Sequence, residues 1–184
     1  MYLVRHGETE WSRSGQHTSR TDLPLTPAGE AEALGLRTRL SSLTFDAVFS
    51  SPLQRAVRTA EIAGFPNPRL TPLLREYDYG EYEGVTTRAI LERRPGWELF
   101  KDGCPDGETP MQVYARVSEF IGICEALNGR ILAFAHGHIL RALAAAWLRL
   151  DITAAAGFQL DVATLSRLRE DPEHGRLLAM WNAP

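Results

Sequence analysis

The sequence predicts an α/β fold, a three-layer sandwich in which a mainly parallel sheet carries helices on both faces. Three observations point there. Short apolar runs alternate along the chain with stretches of helical period, the pattern of strand–helix units. Two of those runs, near Leu3-Val4 and at Ile131-Leu132-Ala133-Phe134-Ala135, lead into a histidine followed by glycine, His6-Gly7 and His136-Gly137. Such a run reads as a buried strand entering a tight turn. Finally, three of the helical stretches open on a hydroxyl residue followed by proline, at Thr26-Pro27, Ser51-Pro52 and Thr109-Pro110, the signature of an N-cap and a first helical residue.

Taken in order, residues 1–4 form the first strand, and a polar, irregular stretch follows from Trp11 to Pro24. A helix enters at Thr26-Pro27 and continues to about Leu40. Phe45-Asp46-Ala47-Val48-Phe49 is a second buried strand, ending at Ser50-Ser51. Leu53, Ala56, Val57, Ala60 and Ala63 then line up as one apolar helical face. Pro66 and Pro68 break the chain before a short strand at 69–74. From Glu76 to Pro110 the chain is polar, with one modest helical stretch near 86–94. Thr109-Pro110-Met111-Gln112 is a capping box; Val113, Val117, Phe120, Ile121, Cys124 and Leu127 behind it make an apolar stripe that reads as core. The strand at 131–135 passes through His136-Gly137-His138 into an apolar helix ending near Leu150, and two more strands, about 158–168 and 177–181, flank a turn at 171–175.

Composition narrows the function. A chain of 184 residues with 44% hydrophobic and 23% charged residues is an ordinary globular domain. A net charge of −3 argues against a nucleic-acid or anionic-membrane footprint, so any positive field is local. Of the 20 basic residues only Lys101 is lysine, which reads as a compositional bias. No apolar run reaches membrane-spanning length, and the N-terminus runs into a strand without a signal-peptide pattern. Cys104 and Cys124 have neither metal-ligand nor redox spacing. The expectation is a cytoplasmic protein with free thiols.

Right-handed crossovers bring the carboxyl ends of parallel strands to one side of the sheet, where open α/β sheets bind their ligands. Arg5-His6, Ser50-Ser51 with Arg55 in the following helix, and His136 therefore converge on one crevice. By itself Arg55 reads as a surface charge. In the first turn of a helix beside two histidines it reads as a phosphate ligand, because helix N-termini favour anions and a guanidinium fork matches phosphate oxygens. His136-x-His138 has a metal-ligand spacing, but no carboxylate cluster accompanies it, so no metal is expected. His17 and His174 read as exposed loop residues.

Leu3-Val4-Arg5-His6-Gly7-Glu8-Thr9 resembles the signature of the histidine phosphatase superfamily, which includes the cofactor-dependent phosphoglycerate mutases and many small phosphatases. The likeness extends through Leu23-Pro24-Leu25-Thr26-Pro27-Ala28-Gly29, Ser50-Ser51-Pro52-Leu53-Gln54-Arg55-Ala56, Leu74-Arg75-Glu76-Tyr77-Asp78-Tyr79-Gly80 and Phe134-Ala135-His136-Gly137-His138, in that order. It implies a phosphoglycerate mutase-like fold over residues 1–184, with 79–110 as a substrate-covering insertion. It also implies a phosphomonoesterase working through a phosphohistidine, without metal or cofactor, on a small phosphate ester. His6 is then the nucleophile and Glu76 the proton donor, with Arg5, Arg55 and His136 on the phosphoryl oxygens. Ser12, Thr18, Ser19 and Gly137 join Arg5, Arg55 and His136 as substrate-binding residues. Ser12 stands where the mutases carry asparagine, and Asp78, Glu81 and Glu83 are the alternative acids. His138 is expected in the pocket wall or behind it. Within the insertion, Tyr82, Arg88, Trp97 and Phe100 are candidates to grip the substrate. The segments 5–25 and 97–109 resemble the fungal sedoheptulose-1,7-bisphosphatase branch, which implies a sugar phosphate. A phosphoglycerate mutase and a catalytically weak phosphate-binding scaffold are the alternatives. Oligomeric state is not read from the sequence.

Overall fold

The computed structural model describes residues 1–184. Its elements are β1 (Tyr2–Arg5), α1 (Glu10–Ser14), α2 (Pro27–Leu40), β2 (Ala47–Ser50), α3 (Gln54–Ile62), β3 (Arg69–Leu70), α4 (Thr87–Arg93), α5 (Leu99–Asp102), α6 (Pro110–Leu127), β4 (Ile131–Ala135), α7 (Gly137–Trp147), β5 (Leu165–Asp171) and β6 (Gly175–Ala183). They form one six-stranded sheet in the order β3-β2-β4-β1-β5-β6. The four strands from β3 to β1 are parallel, whereas β5 and β6 add an antiparallel edge.

The period of the strands divides the core between two faces. Leu3, Ile131, Ala133 and Ala135 point toward α6 and α7, in a cluster with Val117, Phe120, Leu140 and Leu143. Tyr2, Val4, Leu132 and Phe134 point the other way, against Leu36 and Leu40 of α2 and Ala60 and Ala63 at α3. The register sets Arg5 beside Ala135 and Ser50 beside Phe134, so β1, β4 and β2 end at one level. Two backbone bonds extend that alignment, His6 N to Ala135 O at 3.0 Å and Ser51 N to Phe134 O at 2.9 Å. This common edge is the floor of the crevice.

Local chemistry explains most boundaries. Thr26 caps α2 through Gly29 N, and Thr109 with Gln112 forms the expected capping box on α6. The Ser51-Pro52 cap is corrected: α3 starts at Gln54 after Leu53, and the Ser51 hydroxyl instead accepts from Leu53 N at 3.3 Å. The stretch after Trp11 is not wholly irregular, because Thr9 and Ser12 close a capping box on the short helix α1. The strand expected at 69–74 pairs only over Arg69–Leu70 before Thr71 turns the chain into a 3-10 turn, Pro72–Leu74. The strand expected from about 158 begins at Leu165, since Ile152–Gly157 is a 3-10 turn that Asp151 caps through Thr153 N. The helix α7 ends at Trp147, short of Leu150.

One close approach fixes the loop that follows β1. A β-carbon on Gly7 would stand 2.3 Å from Gly29 O, and one on Gly29 would stand 2.2 Å from Glu8 O. Thr26 N bonds Glu8 O at 2.9 Å across the same contact. The first turn of α2 is thus pressed onto the His6-Gly7-Glu8 backbone. Gly29→Ala is expected to cost about 1–3 kcal/mol by overpacking this contact. Gly35→Ala, at an exposed mid-helix site with open space, should stabilise by about 0.5–1 kcal/mol. Denaturant unfolding of the two variants checks this, and equal shifts would remove the close approach as the cause.

Candidate active site

The crevice at the strand ends holds a cleft of about 180 Å³ that opens onto Arg5, His6, Glu76, Gly137, His138 and Arg141, among others. His6 is buried at the end of β1. Its Nδ1 donates to its neighbour's carbonyl, Gly7 O, at 2.7 Å. That bond places the ring proton on Nδ1 and leaves the Nε2 lone pair without a partner, facing the cleft. Burial, then the charges of Arg55 and Arg5, hold the imidazole pKa well below the ordinary 6.5, so the ring is neutral.

Beneath His6 lies a buried polar chain. Arg55, in the first turn of α3, has no solvent exposure. Its Nε donates to His136 Nδ1 at 3.1 Å, and its terminal nitrogens donate to Thr18 O at 3.0 Å and Thr21 O at 3.2 Å. A guanidinium can only donate. His136 Nδ1 is therefore the acceptor and Nε2 carries the proton, donating to Ser51 Oγ at 2.8 Å. Burial and Arg55 hold His136 well below the usual histidine range as well. The two histidine rings are 5.1 Å apart at an angle of 60°. Arg5 donates to Leu160 O through Nη1, while its buried Nε has no partner. Gly137 leaves room for it: a β-carbon there would approach Arg5 Cζ to 3.3 Å.

Glu76 faces the same cleft from the loop after the 3-10 turn at Pro72–Leu74. Its carboxylate sits on the N-terminus of α7, where Oε2 accepts His138 N at 3.0 Å and Oε1 accepts Ile139 N at 2.8 Å and Tyr77 N at 2.9 Å. This satisfies free helix-terminal donors and fixes the carboxylate without a side-chain partner. It is the one carboxylate in the cleft wall. Asp78 pairs with Arg20 outside the cleft, and Glu83 accepts the backbone N–H groups of Ser19 and Thr21.

The other expected residues divide. Thr18 lines the cleft and lends its carbonyl to Arg55. Ser12 also lines it, but its hydroxyl is closed into the α1 capping box, accepting Thr9 N at 2.8 Å and donating to Thr9 O at 3.0 Å. Ser19 is buried with its hydroxyl toward Glu76 O, at 3.4 Å, and lines the neighbouring depression instead of the cleft. His17 is not an exposed loop residue: the insertion folds over it, with Gly84 N bonding His17 O at 2.8 Å and the Tyr79 ring 4.6 Å away. His174 is exposed, against Asp171. His138 stands in the wall, where Tyr79 Oη bonds its Nδ1 at 2.6 Å. Trp97 and Phe100 do not reach the cleft, because they are buried in the same core cluster as Phe120 and Leu140. Tyr82 packs on Trp97, and Arg88 is on the surface beside Glu92. Tyr79 and Thr87 are the insertion residues that line the cleft.

Arg141 escaped the sequence reading. It enters the cleft from α7, anchored by Ala155 O and Ala156 O at 2.9 Å each. Its position four residues after Gly137, on the same helix face, was the available signal. No group of three or more His, Cys, Asp or Glu side chains is arranged to hold a metal ion. The thiols of Cys104 and Cys124 are both pushed up to about 12 by burial.

Comparison with known proteins shows the family of this chain. The family model of the histidine phosphatase superfamily, branch 1, covers residues 1–183. An acid phosphatase of Mycobacterium tuberculosis is 37% identical over 169 residues, spanning 90% of this chain and 83% of its own. The sedoheptulose 1,7-bisphosphatase of Saccharomyces cerevisiae is 38% identical over 193 residues, 82% of this chain and 68% of its own. A solved structure of an open reading frame from Mycobacterium tuberculosis superimposes with a TM-score of 0.94 at 35% identity, covering 99% of this chain and 96% of that one. With its two histidines, two arginines and lone carboxylate gathered at the ends of β1, β4 and β2, this chain belongs to the histidine phosphatase superfamily, branch 1.

Proposed function

We propose that the protein is a phosphomonoesterase acting on small phosphorylated metabolites, with His6 as its nucleophile. One observation carries this reading: a neutral imidazole with its Nε2 lone pair open to a cleft that contains two arginines and a single carboxylate. His6 Nε2 attacks phosphorus in line as the ester P–O bond breaks, and Glu76 gives its proton to the departing oxygen. Water then attacks the phosphohistidine, losing a proton to Glu76, and phosphate leaves with His6 restored. Arg5, through its unpartnered Nε, and the remaining N–H groups of Arg55 are the donors for the charged phosphoryl oxygens, joined by His136 when its Nε2–H exchanges Ser51 Oγ for a phosphoryl oxygen. We assign the substrate contacts of the cleft wall to Thr18 and Gly137, and cover of the cleft by residues 79–110 to Tyr79 and Thr87. Ser12 and Ser19 act through the cap and the Glu76 loop.

A sugar phosphate fits a small, polar cleft, and one relative, the yeast protein, is a bisphosphatase of a sugar. A phosphoglycerate mutase is less favoured, since Ser12 has its hydroxyl engaged by Thr9. A scaffold without turnover would have no use for a nucleophile held neutral and open. No helix is long and apolar enough to cross a membrane; with two free thiols we place the protein in the cytoplasm.

His6→Ala is expected to lower phosphate release from phosphorylated metabolites by at least about 10⁴-fold while the fold persists. Rapid-quench labelling should recover an acid-labile phosphoramidate on His6 in the unsubstituted protein. A folded His6→Ala variant with ordinary turnover would dismiss the mechanism. Activity should also survive exhaustive chelation and be inhibited by vanadate; restoration by a divalent ion after chelation would point to metal chemistry.

Because burial, Arg55 and Arg5 lower the His6 pKa, the nucleophile keeps its lone pair at pH values where an ordinary histidine is protonated. The acid limb of kcat/KM assigned to His6 should therefore lie below pH 6.5 and be absent from His6→Ala. A limb at or above 6.5 would contradict the site's electrostatics.

Glu76→Gln should slow phosphoenzyme formation from glycerol 2-phosphate by about 10²–10⁴-fold and from p-nitrophenyl phosphate far less, since nitrophenolate leaves without a proton. Equal losses on both would move the acid role away from Glu76.

A further inference from the structure

The residues that hold Glu76 in place lie behind its loop, on the side away from the cleft. Arg116, two turns into α6, reaches this loop with its side chain mostly buried. Its Nη1 donates to Leu73 O and Arg75 O, both at 2.8 Å, and its Nη2 reaches Glu76 O at 3.4 Å. The other edge of the fork takes a bidentate carboxylate, with Nε to Glu108 Oε1 at 2.8 Å and Nη2 to Glu108 Oε2 at 2.7 Å. All five N–H bonds of the guanidinium are thereby engaged.

Glu108 closes the frame. Its Oε2 also accepts Asp78 N at 2.9 Å, and its own N–H donates to Asp78 O at 2.9 Å. The backbone is gripped before Glu76, at Glu76 itself and after it, at Asp78. Meanwhile the Glu76 carboxylate points forward onto α7, where His138 N and Ile139 N receive it. The planar fork is what lets one side chain meet three carbonyls and a carboxylate together; an ammonium has three donors and no such plane.

We propose that Arg116, braced by Glu108, is a positioning residue for proton transfer by Glu76. It touches neither the cleft nor the substrate. Its contribution is to fix the carboxyl group relative to the ester oxygen, and proton transfer is steeply sensitive to that placement. This rests on Glu76 being the proton donor, so the test separates the two claims.

Single-turnover phosphoenzyme formation is measured with glycerol 2-phosphate and with p-nitrophenyl phosphate for Arg116→Ala, Arg116→Lys, Glu108→Gln, Glu76→Gln and the double variant Glu76→Gln/Arg116→Ala. Arg116→Ala is expected to slow the glycerol ester by about 10²-fold and the nitrophenyl ester by less than about threefold. Arg116→Lys should recover only part of the loss, and Glu108→Gln should show the same selectivity at about tenfold. In the Glu76→Gln background, Arg116→Ala should add no leaving-group-dependent loss, because the group it positions is gone. If Glu76→Gln discriminates between the esters and the Arg116 and Glu108 variants do not, the positioning role is overturned. If Glu76→Gln itself fails to discriminate, it is the assignment of Glu76 that falls. A lowered Tm with equal slowing of both esters would make Arg116 a stability residue only. Should Arg116→Ala not fold, Arg116→Lys and Glu108→Gln, which retain bulk and polarity, decide the question.

Discussion

A guanidinium with no exposure to solvent and no carboxylate touching it is costly to bury, and the site is organised around that cost. Arg55 is held by two loop carbonyls and an imidazole nitrogen, all neutral acceptors. Several features follow from this single charge. It fixes the loop at Thr18–Thr21, dictates the tautomer of His136, and with Arg5 and burial keeps His6 neutral. Under the proposed function, a phosphoryl dianion in the cleft is the counter-charge that the protein leaves out, in line with the use of fixed charge to stabilise transferring phosphoryl groups.

The N-terminus of α7 is shared between two tasks. His136 precedes it and stands 5.1 Å from the His6 ring, whereas His138 N and Ile139 N are given to Glu76. One helix end therefore registers Glu76 against His136 to within a turn of backbone. Tyr79 adds a third element by bonding His138 from the insertion. Tyr79, Glu76 and His136 thus meet at a rigid element.

How much was legible in the sequence depended on the range of the interaction. The strands ending at Arg5-His6 and His136, and the capped helices at Thr26 and Thr109, were readable because period and capping are local. The convergence of Arg5, His6, Arg55 and His136 followed from the rule that parallel strands share an end. What escaped was set by loops meeting loops. His17 is buried because Gln16 bridges Thr86 and the insertion folds back on it, and pairing of that kind leaves no periodic trace. Trp97 and Phe100 look like a binding wall in a polar segment, yet both anchor that segment in the main core beside Phe120 and Leu140, and nothing in their local spacing shows it. The Ser12 cap is local, since its partner Thr9 lies only three residues away.

The place of β1 in the sheet has a consequence for how the protein is made. This first strand lies between β4 and β5, whose residues leave the ribosome long after it. Such distant pairings raise contact order and delay closure of the sheet. Until β4 emerges, the nascent chain has an apolar strand with both edges open, the kind of surface that chaperones cover and that aggregates readily. The same delay means that His6 has neither Arg55's partner His136 nor the Glu76 seat on α7 beside it. No partly synthesised chain can therefore assemble the surroundings of His6, and the complete cleft arrives together with the last layer of the fold.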